Sequence, residues 1–234
     1  PAILHLDESA LDEPTLAINN ANAEIRGVVG LMERVVGSMV KPFIEGADQK
    51  DVEDSSVDFQ DGMDQRIEKI SFLNQSISDY LLKTSRSELS EDQTKEVYSL
   101  VSCTNYLDSM NNIVKMRFGA MLKNLNKASK SLSSDSQNEV LLYHKKLIKQ
   151  LKRLNKFFEK FDRTKAEKIV QKIAKNKDIE EKYKLKVSQK TKKAKGTKDD
   201  DKLYTNLMEM LKQLNIFIEL IASSLLTLEE KSQA

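Results

Sequence analysis

The sequence predicts an all-α protein, a tandem of two antiparallel three-helix bundles built from six long helices. Only 7 glycines and 3 prolines occur among 234 residues, and charged residues make up 32% of the chain. Few helix-breaking residues, together with abundant lysine, glutamate, leucine and serine, favour long helices over β-sheet. No apolar run reaches the length of about 18 residues that crosses a membrane as a helix.

A repeated apolar ladder predicts the tandem. Its positions alternate spacings of three and four residues, as one stripe of an amphipathic helix does. The first ladder comprises Val97, Leu100, Thr104, Leu107, Asn111, Val114, Phe118 and Met121. Adding 107 to each number gives the second, Tyr204, Leu207, Leu211, Leu214, Ile218, Ile221, Leu225 and Leu228. Two long helices of matched pattern, half a chain apart, indicate a duplicated helical unit.

Asp12 is the predicted N-cap of the first helix, which begins near Pro14. An aspartate accepts hydrogen bonds from the free amides of a first turn, where proline is also tolerated. Gly46 is expected to end this helix, because glycine adopts the backbone conformation of a helix C-terminus.

The second helix is predicted to begin near Asp51. Ser90 and Gln93 form a capping box, so a third helix begins there and runs to about Leu132.

In the second half, Ser136 and Glu139 form a predicted capping box for the fourth helix, and the fifth begins near Asp162. The apolar period then fades. We interpret the eight-lysine stretch from Lys182 to Lys198 as a solvated loop. The sixth helix is expected after the acid cluster Asp199–Asp201, because negative charge suits a helix N-terminus.

The sequence divides into an extended N-terminal linker over residues 1–12, a first bundle over 13–133 and a second over 134–234. The two halves differ in charge. Through residue 133 there are 14 Lys and Arg against 21 Asp and Glu, and from residue 134 onward there are 24 against 15. Opposite charge would help the halves dock. It would equally aim the basic half at an acidic surface, such as a layer of phospholipid headgroups.

Groups suited to catalysis are sparse, so we expect no enzyme. The histidines are His5, in the linker, and His144, on the apolar seam of the fourth helix. A hydrogen-bonded seam histidine and a phospho-acceptor are the alternatives for His144. The single Cys103 excludes an internal disulfide and fits a reducing compartment. We expect no specific nucleic-acid binding, because the lysine stretch contains one aromatic, Tyr183, and no recognition motif.

Polar residues flank both ladders at matched positions. Asp108 and Asn112 lie four apart on the third helix, and Asn215 and Glu219 lie four apart on the sixth. Residues i and i+4 project side by side, so each pair offers two oxygen ligands to a hard cation, and a divalent metal is the candidate cofactor. The alternative is ordinary bundle polarity that sets helix register.

The two triplets of helices, with these motifs on the third helix of each, resemble the PhoU family. In that family the motif is usually Glu-Arg-Ile-Gly-Asp, and it binds metal clusters. The corresponding stretches here are Asp-Ser-Met-Asn-Asn at 108–112 and Asn-Ile-Phe-Ile-Glu at 215–219. The first keeps an acid at its first position, and the second keeps one at its last.

The N-terminal linker extends the resemblance. The stretch 6–17, followed by Glu24 and Ile25, is similar to the linker and first helix in the cytosolic tails of bacterial sodium/phosphate cotransporter-type proteins. Those proteins place a PhoU-like domain after their membrane segments. The stretches 77–81 and 89–90 are similar to the end of the second helix and the start of the third in such tails.

The resemblance implies a regulatory domain that modulates phosphate uptake at the cytoplasmic face of the cell membrane. Its implied partner is the transporter segment of the same polypeptide. Association with further copies of the chain as a homo-oligomer is a second expectation. The chain begins at Pro1 rather than Met, and we expect a soluble piece of a longer protein. The alternatives are a metal-binding helical module that uses the four polar residues, and a structural adaptor that holds a partner helix in a groove.

Overall fold

The computed structural model describes residues 2–44, 49–128, 132–193, 198–226 and 228. Over those residues the chain is helical and contains no strand, which confirms the all-α class. The helices are α1 Pro14–Ser38, α2 Gln49–Thr84, α3 Glu91–Ile113, α4 Gly119–Ala128, α5 Ser134–Glu159, α6 Arg163–Lys193 and α7 Lys198–Leu226. A π-helical turn, Val114–Phe118, joins α3 to α4 as one rod, so the prediction of six long helices is confirmed.

Both apolar ladders lie in the core. Every residue of the first ladder is buried, including the polar Thr104 and Asn111. The second ladder is buried from Tyr204 to Leu225, and Leu228 at its end is partly buried against the core. The three-four period therefore identified the inward face of both rods, because a helix packed on one side buries one stripe.

The helices form two connected layers. α1, α2 and α3 pack on one another, as do α5, α6 and α7. The two sets join where α1 packs against α5 and where α3 packs against α7, which leaves α2 and α6 on the outside. One continuous cluster of buried apolar side chains runs through both sets. The division of the chain at residues 133 and 134 remains a prediction.

Polar contacts join α1 to α5. The Asn22 amide donates to the Phe158 carbonyl oxygen at 2.9 Å, and His144 Nε2 donates to the Val36 carbonyl oxygen at 2.7 Å. These partners increase along α1 as they decrease along α5, so the two helices are antiparallel. A peptide carbonyl of α5 is thereby held at one end of the seam, and a peptide carbonyl of α1 is held at the other.

Glycines allow α1 and α5 to approach closely. A Cβ atom added at Gly30 would lie 3.5 Å from Asn155 Nδ2, and one added at Gly37 would lie 3.9 Å from Ile148 Cδ1. Both are ordinary van der Waals contacts, so a single methyl group fits and a longer side chain meets α5.

The predicted starts near Pro14, Asp51 and Asp162 are confirmed, since α1 begins at Pro14, α2 at Gln49 and α6 at Arg163. Of the three predicted N-caps, one is confirmed. The Ser90–Gln93 capping box is confirmed: Ser90 Oγ accepts from the Gln93 amide, and the Gln93 side chain accepts from the Ser90 amide. The prediction of Asp12 as the N-cap of α1 was wrong, because Glu13 occupies that position without a side-chain hydrogen bond. The prediction of Ser136 as the N-cap of α5 was also wrong, because Ser133 caps the helix one turn earlier and accepts a hydrogen bond from the Ser136 amide.

The end of α1 differs from the prediction. α1 ends at Ser38, and a 3-10 turn at Lys41–Phe43 follows it. Pro42 has no N–H to donate to the Ser38 carbonyl, so an α-helix would lose a hydrogen bond there. Gly46 lies outside the described residues. α4 is described to Ala128, and residues 129–131, just before its predicted end near Leu132, lie outside the described residues.

The lysine stretch is helical through Lys193 rather than a loop, since lysine is itself a good helix former. Residues 194–197 lie outside the described part. α7 begins at Lys198, which puts the acid cluster Asp199–Asp201 within its first turn. Among the described residues, none of the helices is long and apolar enough to cross a membrane.

Leu107 and Leu214 occupy matched positions of the two ladders, and both are fully buried. We predict that Leu107→Ala and Leu214→Ala each lower the free energy of unfolding by about 2–5 kcal/mol, because each leaves a cavity in the core. Urea denaturation followed by circular dichroism measures this loss. Leu82→Ala is the control, because Leu82 is 55% exposed and should change stability by about 0.5 kcal/mol or less. A Leu214→Ala loss as small as that of the control would contradict the buried ladder of α7.

Candidate functional site

Asp108 and Asn112 lie on one face of α3, as their spacing predicts. Asp108 is half-buried and Asn112 is exposed. Asn112 Nδ2 donates a hydrogen bond to Asp108 Oδ2 at 3.2 Å. The pair therefore forms a local carboxylate–amide contact, and the carboxylate supplies its negative charge.

Asn215 and Glu219 lie one turn apart on α7 in different surroundings. Asn215 is buried, and its Nδ2 donates to the Tyr143 hydroxyl oxygen of α5 at 3.3 Å. Among the described residues, Asn215 Oδ1 has no hydrogen-bond partner. Glu219 is half-buried. Asn215 is thus turned towards α5 and towards the interior of the second half.

The structure does not bring the two pairs together. Tyr106 of α3 and Phe217 of α7 face each other, with ring centroids 6.1 Å apart, and mark the sides on which the helices meet. Asp108 and Asn215 are each two residues from these rings, and two residues turn a helix by about 200°. Both side chains therefore project away from the shared seam. Metal binding remains a prediction, and it would involve each pair separately.

Each pair alone offers few ligands. Hard divalent cations take about six oxygen ligands or more, and each pair supplies one carboxylate and one amide. Within the described ranges, no three residues among the histidines, cysteines, aspartates and glutamates are grouped closely enough to hold a metal ion. Ordinary bundle polarity accounts for the contacts that are seen.

A polar network that the sequence did not predict joins α5, α6 and α7. The Tyr143 hydroxyl donates to Glu180 Oε1 at 2.7 Å and accepts from Asn215. Burial raises the pKa of Tyr143, and the hydrogen bond and charge of Glu180 raise it further. Burial also lowers the pKa of nearby Lys212, although Glu180 opposes this. Glu180 is an acidic residue within a lysine-rich helix, and this contrast was the sequence feature that could have indicated the network.

A second group of amides lies between α2 and α3. Asn111 Nδ2 donates to the Ile67 carbonyl oxygen and to Ser71 Oγ, both at 2.9 Å. Asn74, one turn beyond Ser71, is buried, and neither of its amide atoms has a partner among the described residues. Asn111 was expected as a ladder position, and its bonds to α2 fix the register of the two helices.

His144 and Cys103 both lie against the interior of the protein. His144 is half-buried and bonded to the Val36 carbonyl oxygen, as a seam histidine would be. Burial lowers its pKa, and the bond to Val36 opposes that shift. Cys103 is buried, and burial raises the pKa of its thiol, which disfavours the reactive thiolate.

A buried carboxylate fixes the start of the N-terminal linker. Glu24 of α1 is buried, and it accepts hydrogen bonds from the backbone amides of Leu4 and His5 at 3.2 and 2.6 Å. Two backbone donors satisfy a charged group that would be costly to bury alone. The linker is therefore bound to the middle of α1.

The other half of the linker is bound to the end of α2 and to the turn that follows it. The Tyr80 hydroxyl donates to the Asp7 carbonyl oxygen at 2.8 Å, and Ser87 Oγ donates to the Leu11 carbonyl oxygen at 3.1 Å. Lys83 forms an ion pair with Glu8. Glu24, Tyr80 and Ser87 together form what we term the linker clamp.

An open groove of about 630 Å³ adjoins this clamp, between the end of α2 and the start of α3. Its apolar lining is provided by Leu81, Leu82, Leu89, Val97, Tyr98 and Val101. Leu82 and Tyr98 are 55% and 70% exposed, so the groove presents apolar surface to solvent. Ser87 of the linker clamp also lines it.

Comparison with known proteins gives distant relatives. The chain is 25% identical over 165 residues to "Putative inorganic phosphate export protein YjbB" of Escherichia coli O157:H7. It is 26% identical over 166 residues to the proteins of the same name in Escherichia coli strain K12 and in Shigella flexneri. The aligned part covers 70% of this chain but only 28% of each relative. No protein-family model matches the chain, and no solved structure matches it.

The pH dependence of stability tests the surroundings of His144. Burial lowers the pKa of His144 in the folded chain. In the unfolded chain the pKa of a histidine is near 6.5. As the pH falls, the unfolded chain is therefore protonated at His144 before the folded chain is. The unfolded state then binds more protons, so stability falls as the pH drops below about 6.5, by at most about 1.4 kcal/mol per pH unit.

His144→Gln keeps a donor for the Val36 carbonyl and removes the titration. We predict that the free energy of unfolding, measured in urea from about pH 7.5 to about pH 5.5, falls less steeply in this variant than in the unaltered chain. Parallel profiles for the two proteins would show that His144 does not titrate differently on folding.

Proposed function

We propose that this chain is a PhoU-like regulatory domain of a sodium/phosphate cotransporter-related membrane protein, located at the cytoplasmic face of the cell membrane. It acts by protein–protein contact with the transport segment of the same polypeptide rather than by catalysis. The similarity to proteins named for inorganic phosphate export carries the proposal. Because those names refer to export, the proposed control concerns phosphate movement in either direction.

The relative lengths support a domain role. The chain spans little more than a quarter of the relatives that it matches. A regulatory domain joined to a larger transport part would have this proportion. On this proposal, transport belongs to the remainder of the polypeptide, and the helical chain responds to it or controls it.

The linker clamp supports mechanical coupling. Glu24 holds the linker on α1, and Tyr80 holds it on α2, so a displacement of the linker acts on two helices of the first set. Glu24 and Tyr80 also lie in the stretches whose resemblance to cotransporter tails was noted above. The residues that carry the resemblance thus include two of the three residues of the linker clamp.

The groove beside the clamp is the proposed contact surface. It lies next to the linker, because Ser87 both lines the groove and bonds to Leu11. The apolar lining suits a helix that inserts hydrophobic side chains between α2 and α3.

Phosphate flux in vesicles reconstituted with the full-length polypeptide tests the proposal. We predict that removing residues 13–234 changes the flux about fivefold or more, as expected for coupled sites. Tyr98→Lys places a charge in the groove and should shift the flux towards that of the truncated protein. Met116→Lys is the matched control, because Met116 is 76% exposed on the π-turn that follows α3, outside the groove.

Unchanged flux after removal of the helical domain would contradict the regulatory function itself. A change on removal without any change in Tyr98→Lys would contradict only the assignment of the groove as the contact surface.

A further inference from the structure

The outer side of α5 carries a continuous stripe of lysines. Lys145, Lys149, Lys152 and Lys156 are separated by four, three and four residues, which places them on one face of the helix. All four are exposed. This stripe lies opposite the buried face that carries Tyr143, Leu147 and Leu154, whose Tyr143 is bonded to Asn215 of α7.

The stripe keeps most of its positive charge. Lys152 Nζ lies 4.0 Å from Glu33 Oε1, the limit of an ion pair. Glu159, three residues after Lys156 on the same helix, pairs with Arg26 at 3.3 Å. Within the described residues, Lys145, Lys149 and Lys156 have no ion-pair partner. The helix therefore presents lysines that are not neutralised by the protein itself.

Two leucines lie at the beginning of the stripe. Leu141 and Leu142 are 40% and 52% exposed, although they directly precede buried Tyr143. On α6, which packs against α5, Lys168 and Lys172 are also exposed. We term the four α5 lysines with Leu141 and Leu142 the α5 basic face.

We propose that the α5 basic face binds an anionic phospholipid surface, with Leu141 and Leu142 inserted at the headgroup boundary. Lysine side chains lay their methylene groups on such a surface and place the ammonium group among the lipid phosphates. Each lysine near an anionic leaflet adds to the attraction, which salt screens over about 10 Å at 0.1 M.

The composition of the face favours lipid over nucleic acid. The stripe has no aromatic side chain on which a base could stack, whereas exposed leucines suit an acyl boundary. The domain would lie along α5 with the groove between α2 and α3 left uncovered. The proposal goes beyond the function proposed above, since lipid binding needs no transport segment.

Co-sedimentation of the purified chain with vesicles tests this proposal. The vesicles contain phosphatidylcholine alone or with about 30% phosphatidylglycerol, at about 0.1 M salt. We expect binding to the anionic vesicles only. The triple variant Lys145→Gln, Lys149→Gln, Lys156→Gln should bind about 100-fold more weakly, at about fivefold per lysine. Circular dichroism checks that each variant remains folded.

The matched control removes three exposed lysines elsewhere, Lys115→Gln, Lys123→Gln, Lys202→Gln, with the same change in net charge. It should bind less than about fivefold more weakly, as loss of general attraction predicts. An equal loss in both triple variants, or no binding to anionic vesicles, would overturn the proposal.

Substitution of the two leucines distinguishes lipid binding from binding to other polyanions. Leu141→Ser with Leu142→Ser should weaken vesicle binding and leave binding to a single-stranded RNA unchanged. If the leucine variant bound vesicles as the unaltered chain does, and RNA were bound as tightly as vesicles, the face would be a polyanion site and lipid docking would be overturned.

Discussion

The close contact between α1 and α5 is the constraint on which the rest of the structure depends. These helices belong to different halves of the chain, and their seam, together with the contact of α3 with α7, makes one core from two sets of three helices. Gly30 and Gly37 leave room for Asn155 and Ile148 of the opposite helix. Because the core is shared, α3 and α7, which carry the two ladders, each pack against helices of both halves.

This shared core separates the surfaces of the molecule by role. Tyr80 and Ser87 of the linker clamp lie beside the apolar groove where α2 ends and α3 begins, next to the N-terminal linker. The α5 basic face lies on the other half, with its lysines turned outward. The clamp and the groove thus belong to the first set of helices, and the basic face belongs to the second.

The sequence predicted what depends on local pattern. Both ladders and the Ser90–Gln93 cap were found because burial and capping follow short spacings. The bond of Tyr143 to Glu180 was missed because it joins residues 37 apart on different helices. The surroundings of Asn215 were missed for the same reason. Its position in the repeat suggested a metal ligand, but its hydrogen bond to Tyr143 of α5 turns the side chain inward. The lysine stretch was predicted to be a loop because its apolar periodicity fades. It is helical through Lys193 because lysine favours helix even where no apolar face packs on the core.

The most direct test of the shared core is the stability of Gly30→Leu against Gly27→Leu. Gly27 is on the same helix, exposed, and a Cβ there meets nothing within 4 Å, so both variants gain the same helix propensity. Only the leucine at 30 meets Asn155 of α5. Urea denaturation should show Gly30→Leu about 2 kcal/mol less stable than Gly27→Leu, in one transition for the whole chain. Equal stability, or separate transitions for the two halves, would contradict a core held together by this seam.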